Sequence, residues 1–323
     1  MENLKDIQFM VLVILLYLFF ASTFTLGKAA LTYVSPLLFI GCRMILGGSI
    51  LLSYLLYKNR LRVHIKAKDY SLFARIILFH IFLAYTLEFW ALEHITSAKA
   101  CLLYNLSPFI TAIFAFFLYH ERLSMRQLCG LIIGFLGFLP ILIAQTPLEE
   151  MGKHIGFFSV YEIALIVSVA SSAYGWIIMK KLTQEGYSFI FVNSIGMLGG
   201  GVLAFITSLY IEGIPSLKIA PIVLHSIEPY VGTTGESLIV LSFYSILLVL
   251  IANIIGYNLY GYLLSRYSPT FLSFAGFMTP LFAALLGWIF LGEAVSWHFF
   301  ATMVCIVIGL YLFYDKHDLI PDK

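Results

Sequence analysis

Ten apolar stretches of roughly twenty residues limit this chain to one kind of architecture. A transmembrane helix needs about 20 consecutive, mostly apolar residues, whereas a barrel strand needs about ten of alternating polarity. Only helices satisfy their own backbone hydrogen bonds inside a bilayer, so runs of this length predict helices. The sequence therefore predicts an all-α polytopic membrane protein with ten transmembrane helices. The predicted spans are residues 7–28, 35–57, 70–92, 97–119, 126–144, 157–179, 188–210, 237–260, 269–291 and 296–314.

The share of charged residues supports the same conclusion. Only 11% of the 323 residues are charged, against about 25% in a soluble globular chain. The four cysteines all lie in apolar runs without a C-x-x-C spacing, which excludes a zinc knuckle and disfavours a disulfide framework. The net charge of +2 identifies no partner. We expect the lipid bilayer as the main partner and no nucleic acid.

One pattern occurs twice along the chain. A proline is followed 13 residues later by a glutamate, then by a serine after 3 more and a glycine after another 13. The two copies are 172 residues apart: Pro108, Glu121, Ser124 and Gly137, then Pro280, Glu293, Ser296 and Gly309. Two unrelated membrane hairpins of similar composition are one interpretation. Our preferred interpretation is an internal duplication of two five-helix halves, which an odd number of spans would make inverted repeats, as in many secondary transporters.

The lysines and arginines predict the orientation of the spans. With the N-terminus inside, 13 of these residues fall on the inner side and 4 on the outer side, while Arg43 and Arg75 lie within spans. Cytoplasmic loops carry an excess of Lys and Arg, so this bias predicts that both termini are cytoplasmic. The four predicted outer residues are Lys28, Lys99, Lys153 and Lys218.

Several of these features resemble the drug/metabolite transporter superfamily, and its EamA-type branch in particular. The resemblance covers nearly the whole chain and depends on SPLLFIGCRMILGG with Arg43, on ALEHITSAKACLLYNLSPF, and on LSRYSPTFLSFAGFMTPLFAALLGWIFLGEAVS. The chain departs from the family pattern at His120, where the family usually shows a glycine, at Lys99, and in its long link 211–236.

The resemblance implies a division of the chain and a function. Residues 1–144 would form the first EamA-like repeat, 145–156 a link, 157–316 the second repeat and 317–323 a cytoplasmic tail. The implied function is a secondary transporter that moves a small organic metabolite across the cytoplasmic (inner) membrane of a bacterium by alternating access. Amino acids, S-adenosylmethionine-like nutrients and other metabolites all stay open as substrates, as do proton coupling, counter-substrate coupling and the oligomeric state. A membrane-embedded enzyme and a non-transporting scaffold are the alternatives.

Charged side chains within the spans are the first candidates for the transport pathway, because each costs at least about 2.5–3.5 kcal/mol to insert. Arg43 lies within the second span, where a binding or gating role and a structural tie to carbonyls or a carboxylate are both open. On the third span, His80, Ala84 and Glu88 are spaced i, i+4 and i+8, so an α-helix would place them on one stripe. His80 is either a packing residue or a pathway group, and Glu88 is a candidate pathway or proton-linked group.

Polar residues of the fourth span complete the set of candidates. Tyr104 and Asn105 fall near mid-membrane, where they would either contact the substrate or bond neighbouring helices. Trp90, Trp176 and the many tyrosines suit interfacial belts, which is the default expectation for such residues, or an aromatic-lined cavity.

Known catalytic and nucleotide-binding patterns are absent from the sequence. It contains neither a G-x-x-x-x-G-K-[ST] phosphate loop nor an H-E-x-x-H metal motif. We therefore predict no catalytic residues, no metal and no cofactor, and a small-molecule substrate rather than an enzymatic reaction.

Overall fold

A computed structural model describes residues 2–58, 65–95, 100, 103–119, 123–145, 159–213, 234–282, 285 and 297–313. This part of the chain consists of helices and their links, and no strand occurs within it. In chain order the helices are α1 Glu2–Ala30, α2 Pro36–Tyr57, α3 Ala67–His94, α4 Ser107–Tyr119, α5 Met125–Gln145, α6 Val160–Gln184, α7 Phe189–Ile211, α8 (the continuous run Thr234–Leu248, Val249–Gly256 and Tyr257–Leu264), α9 Pro269–Ala275 and α10 Trp297–Phe313.

Six helices of the described part are long and apolar enough to cross a membrane. They are α1, α2, α3, α6, α7 and the part of α8 from Ile239 to Leu264. They overlap six of the predicted spans, to within five residues at each end, so these six are confirmed as helices of membrane-crossing length. The chain is a polytopic membrane protein whose described part is helical. α4, α5, α9 and α10 overlap the other four predicted spans, whose full crossings stay predictions.

Serine side chains define where several helices begin. Ser124 and Gln127, three residues apart in the sequence, form a capping box at α5, since Ser124 N donates to Gln127 Oε1 at 2.9 Å and Gln127 N donates to Ser124 Oγ at 3.2 Å. Ser159 and Glu162 form the same reciprocal pair at α6. Such pairs satisfy backbone N–H groups that have no partner within the helix. Glu162 therefore helps to cap the N-terminus of α6.

Glycines allow close helix crossings, and the spacing Gly130-x-x-x-Gly134 is typical of such contacts between membrane helices. A β-carbon added at Gly309 of α10 would lie 2.8 Å from the carbonyl oxygen of Gly130 and 3.2 Å from the Cα of Gly134, both on α5. The α2–α7 contact is equally close, because a β-carbon at Gly41 would lie 2.8 Å from the backbone of Phe205. These two pairs, α2 with α7 and α5 with α10, have the most extensive contacts in the described structure.

Two helices contain a π-helical segment. In α3 it covers Ile76–Leu83, and in α8 it covers Val249–Gly256. Their first residues are 173 positions apart (249 minus 76), one more than the 172 that separate the repeated motifs. π segments are rare and occur frequently at functional sites.

A carboxylate joins the N-terminus of α2 to the C-terminus of α7. Glu212 accepts hydrogen bonds from the backbone N–H groups of Leu37 and Leu38, both at 3.1 Å, and from the hydroxyls of Ser35 and Ser208, both at 2.7 Å. The negative charge lies where the α2 backbone presents unpaired N–H groups and the positive end of its dipole. The acids of the repeated pattern, Glu121 and Glu293, lie outside the described residues, together with Ser296 and Lys99.

Candidate functional site

A cavity of about 120 Å³ lies where residues of both halves of the chain meet. The first half contributes side chains of α1, α2, α3, the segment before α4 and the start of α4, and the second half contributes side chains of α6, α8 and α9. Most of the large lining side chains are aromatic: Tyr17, Phe20, Phe24, Tyr85, Phe89, Tyr104, Trp176, Tyr257 and Tyr260. The described charged residues among the lining are Arg43 and Glu88.

Arg43 reaches the cavity from α2 and is 2% exposed. Its guanidinium carbon lies 4.9 Å from the ring centroid of Phe89, 5.1 Å from that of Tyr85 and 5.7 Å from that of Phe39. Each distance is within the range of a cation–π interaction, which stabilises the charge without using its N–H groups. Two of its nitrogens, Nε and Nη2, are buried without a hydrogen-bond partner in the described structure.

Glu88 lines the cavity from α3 and is 8% exposed. The Tyr104 hydroxyl donates to its Oε2 at 2.6 Å, so two of the predicted site residues are in direct contact. Tyr104 is itself packed edge-to-face against Phe24, with ring centroids 5.2 Å apart. These contacts fix the carboxylate at the cavity wall.

Residues of α6 and α8 form an aromatic wall of the cavity. The Trp176 ring stacks on Tyr260 with centroids 3.9 Å apart and an interplanar angle of 24°, and it lies 4.9 Å from Tyr257. Trp176 is therefore an interior residue, which corrects the default assignment to an interfacial belt. Flat aromatic surfaces of this kind accept heterocyclic rings by stacking and cations by their π faces.

His80 and Asn105 are buried but are not among the lining residues. The His80 ring lies 4.5 Å from the Trp176 ring and 5.4 Å from the Tyr257 ring, so it supports the aromatic wall from behind. The predicted stripe holds for Ala84 and Glu88, which both line the cavity, but not for His80. His80 lies within the π segment that ends at Leu83, whereas Ala84 and Glu88 lie in the α-helical turns that follow it.

Several cavity residues had a weak signal in the sequence. Tyr257 and Tyr260 are spaced i, i+3, and Tyr17, Phe20 and Phe24 are spaced i, i+3 and i+7, so each set shares a helix face. In a chain with 16% aromatic residues, such spacings occur on many faces, so they do not single out the cavity.

Polar residues away from the cavity connect helices. Asn193 Nδ2 donates to Asn258 Oδ1 at 3.1 Å, and Asn253 Nδ2 approaches the Met44 sulfur at 2.9 Å. Each contact joins α8 to a neighbouring helix, α7 through Asn193 and α2 through Met44, which is a common role of polar residues in membrane helices. Within the described residues, no group of three His, Cys, Asp or Glu side chains is arranged to hold a metal ion.

Comparison with known proteins gives matches over most of the chain. The EamA-like transporter family matches residues 8–143 and, separately, residues 159–315. A Chlamydia muridarum protein named "S-adenosylmethionine/S-adenosylhomocysteine transporter" is 32% identical over 301 residues, which cover 92% of this chain and 88% of that protein. The Bacillus subtilis protein named "Uncharacterized transporter YvbV" is 24% identical over 98% of this chain and 94% of its own length.

A solved crystal structure has the same fold. Its TM-score to this chain is 0.67, with 18% sequence identity, and the match covers 95% of this chain and 96% of the other. Nearly the whole chain therefore has counterparts, in sequence and in three dimensions.

Proposed function

We propose that this chain, which belongs to the EamA-like transporter family, is a secondary transporter whose substrates are S-adenosylmethionine and S-adenosylhomocysteine. The single observation that carries the substrate is the 32% identity, over 92% of the chain, to a protein named for these two solutes. The cavity supplies the chemistry that such solutes need. Its aromatic wall offers stacking surfaces for an adenine ring and π faces for a sulfonium cation.

The proposed site is the cavity between the halves, with Arg43, Glu88 and Tyr104 in contact with the substrate. His80 and Asn105 belong to the same pathway as residues that support the wall and the segment before α4. Binding sites between repeats near the bilayer midplane are typical of secondary transporters.

Alternating access is the proposed mechanism. The cavity of about 120 Å³ is smaller than the roughly 300–1,000 Å³ of sites that hold drug-sized ligands. An adenosyl amino acid would therefore require the walls to move apart. A transporter that opens to one side at a time and closes between the two openings meets this requirement.

Ten transmembrane helices in two inverted five-helix repeats are the proposed architecture, with repeats at residues 1–144 and 157–316. Three observations support it. The family matches the chain twice, at 8–143 and 159–315. The π segments of α3 and α8 occupy corresponding places. In the two proposed repeats α1 corresponds to α6, and α3 corresponds to α8. The contact of α1 with α8 therefore has the contact of α6 with α3 as its counterpart, and both contacts are present.

The proposed location is the inner membrane of a bacterium, with residues 145–156 as an outer link and 317–323 as a cytoplasmic tail. The segregation of basic residues, 13 inside against 4 outside, supports this orientation. The relatives from Chlamydia and Bacillus support a bacterial membrane. Exchange of one solute for the other, or coupling to protons, would drive net movement.

A competition assay in proteoliposomes tests the substrate. Uptake of labelled S-adenosylmethionine is measured against an excess of unlabelled S-adenosylhomocysteine, single amino acids or nucleosides, each with and without a pH gradient. We expect strong inhibition by S-adenosylhomocysteine and weak inhibition by the others. Equal inhibition by a simple amino acid would assign the protein to a different substrate class.

A further inference from the structure

We propose that Arg43 and Glu88 act as a two-point clamp for the charges of an α-amino acid group, with the carboxylate on Arg43 and the ammonium on Glu88. This inference rests on the proposed function and adds to it the group that the site recognises. It predicts that the amino-acid end of the substrate, rather than its ring system alone, determines binding.

The charges of the cavity favour a zwitterionic ligand. Arg43 is the one basic residue and Glu88 the one acidic residue among the described lining residues. No ion pair within 4.0 Å joins them, although both are described and both face the same cavity. The two side chains are therefore not joined directly to each other, and both are open to a ligand in the cavity. A group that carries both signs a few bonds apart complements this arrangement.

Arg43 is prepared for a carboxylate in particular. Three aromatic rings hold the guanidinium while Nε and Nη2 keep their N–H groups unpaired. These two nitrogens stand on one edge of the planar guanidinium, and adjacent N–H groups of this kind bind a carboxylate with two parallel hydrogen bonds. Arginine keeps its charge in any protein environment, so the donors cannot be removed by deprotonation. A buried pair of free donors at a cavity wall is explained by a ligand that accepts both.

Glu88 is held in place for the opposite charge. The hydrogen bond from Tyr104 occupies Oε2 and orients the carboxylate toward the cavity that both residues line. A carboxylate has about four acceptor positions, so an ammonium group can bind beside the hydroxyl. Tyr104 is thus a positioning residue for the clamp.

Two thioether nucleosides distinguish the contribution of the clamp to binding from that of the rest of the site. S-adenosylhomocysteine carries the α-amino acid group, and 5′-methylthioadenosine has the same adenosyl sulfur without it. Binding of each to the purified protein in detergent is followed by quenching of tryptophan fluorescence, to which Trp176 at the cavity wall contributes. We expect S-adenosylhomocysteine to bind at least about 30-fold more tightly in the wild type, because a site with buried polar groups rejects a ligand that leaves them unpaired.

Arg43→Gln and Glu88→Gln should lower this preference to less than about threefold and leave the affinity for 5′-methylthioadenosine nearly unchanged. A structural role for either residue would weaken both ligands alike. Glu185→Gln, which changes an exposed ion pair with Lys68, is the matched control and should keep the full preference. If either cavity variant does not fold, Tyr104→Phe provides the second test, with an intermediate loss of preference.

The clamp is wrong if the wild type binds both nucleosides equally, if neither binds, or if Arg43→Gln and Glu88→Gln keep the wild-type preference. Uptake of labelled S-adenosylmethionine by the same preparation in vesicles is measured in parallel. Uptake combined with equal binding of the two nucleosides would overturn the clamp and leave the proposed function intact. A 30-fold preference without any uptake would support the clamp and reject the transport function.

Discussion

Replacement of Glu212 by alanine should destabilise the folded protein more than any change of an exposed ion pair. The substitution removes the acceptor of four hydrogen bonds, two from the α2 backbone at Leu37 and Leu38 and two from serine hydroxyls. The hydroxyls can rotate toward other acceptors, whereas the N–H groups at the start of α2 have no partner within the helix.

The magnitude follows from the two backbone donors. A hydrogen bond to a charged group contributes about 1.5–3 kcal/mol, and loss of a helix N-cap costs about 0.5–2 kcal/mol. Because both descriptions refer to the same contacts, we take about 2–3 kcal/mol for the whole change. A change of 1 kcal/mol shifts Tm by about 2–4 °C in a chain of 150–250 residues. The expected decrease in Tm is therefore about 4–12 °C on this scale, toward the lower end because this chain is longer, with 323 residues.

Thermal unfolding in detergent, followed by the loss of monodisperse protein in gel filtration, measures this effect. Glu185→Ala is the control, because its ion pair with Lys68 joins side chains that are 34% and 60% exposed and such pairs contribute only about 0–1 kcal/mol. Glu212→Gln should fall between the two, since an amide oxygen still accepts a hydrogen bond but lacks the charge. A Tm for Glu212→Ala within the range of the control would refute the argument that this carboxylate ties α2 to α7.

Three further outcomes are expected. Gly309→Leu should abolish the close α5–α10 crossing and lower the yield of folded protein at least about fivefold in gel filtration. The control Val307→Leu, at a 59% exposed position, should leave the yield unchanged, and equal yields of the two variants would contradict the crossing. Trp176→Ala should weaken binding of an adenosyl ligand about tenfold by loss of stacking, measured by calorimetry on folded protein, and unchanged affinity would remove Trp176 from the site. A single cysteine at Lys153 should react with a membrane-impermeant reagent added outside, one at Lys66 should not, and the reverse labelling would overturn the proposed orientation.

The helices could be predicted from the sequence because their signals are local. Apolar length determines where a helix can cross a bilayer, and serines such as Ser124 and Ser159 cap helix ends through contacts within four residues. Arg43 and Glu88 were also predictable as interior groups, because a charge within an apolar span needs a partner or a function.

The parts that the sequence does not predict depend on packing between distant segments. The π segment Ile76–Leu83 has no sequence signature, and its residue His80 packs against Trp176 while Ala84 and Glu88 line the cavity. Trp176 could equally belong to an interfacial belt, and only its contacts with Tyr257 and Tyr260 place it in the interior. The positions of His80 and Trp176 depend on helix register and helix pairing, which are established only when the two halves pack together.

Saturable uptake of S-adenosylmethionine tests the proposed function most directly. Purified protein is reconstituted into vesicles that are either empty or loaded with S-adenosylhomocysteine, and the initial rate of entry of labelled S-adenosylmethionine is compared with that of protein-free vesicles. We expect saturable entry that depends on the protein and is faster into the loaded vesicles if the two solutes exchange. An entry rate equal to that of protein-free vesicles, with folded protein in the membrane, would contradict the proposal that this chain transports adenosyl amino acids.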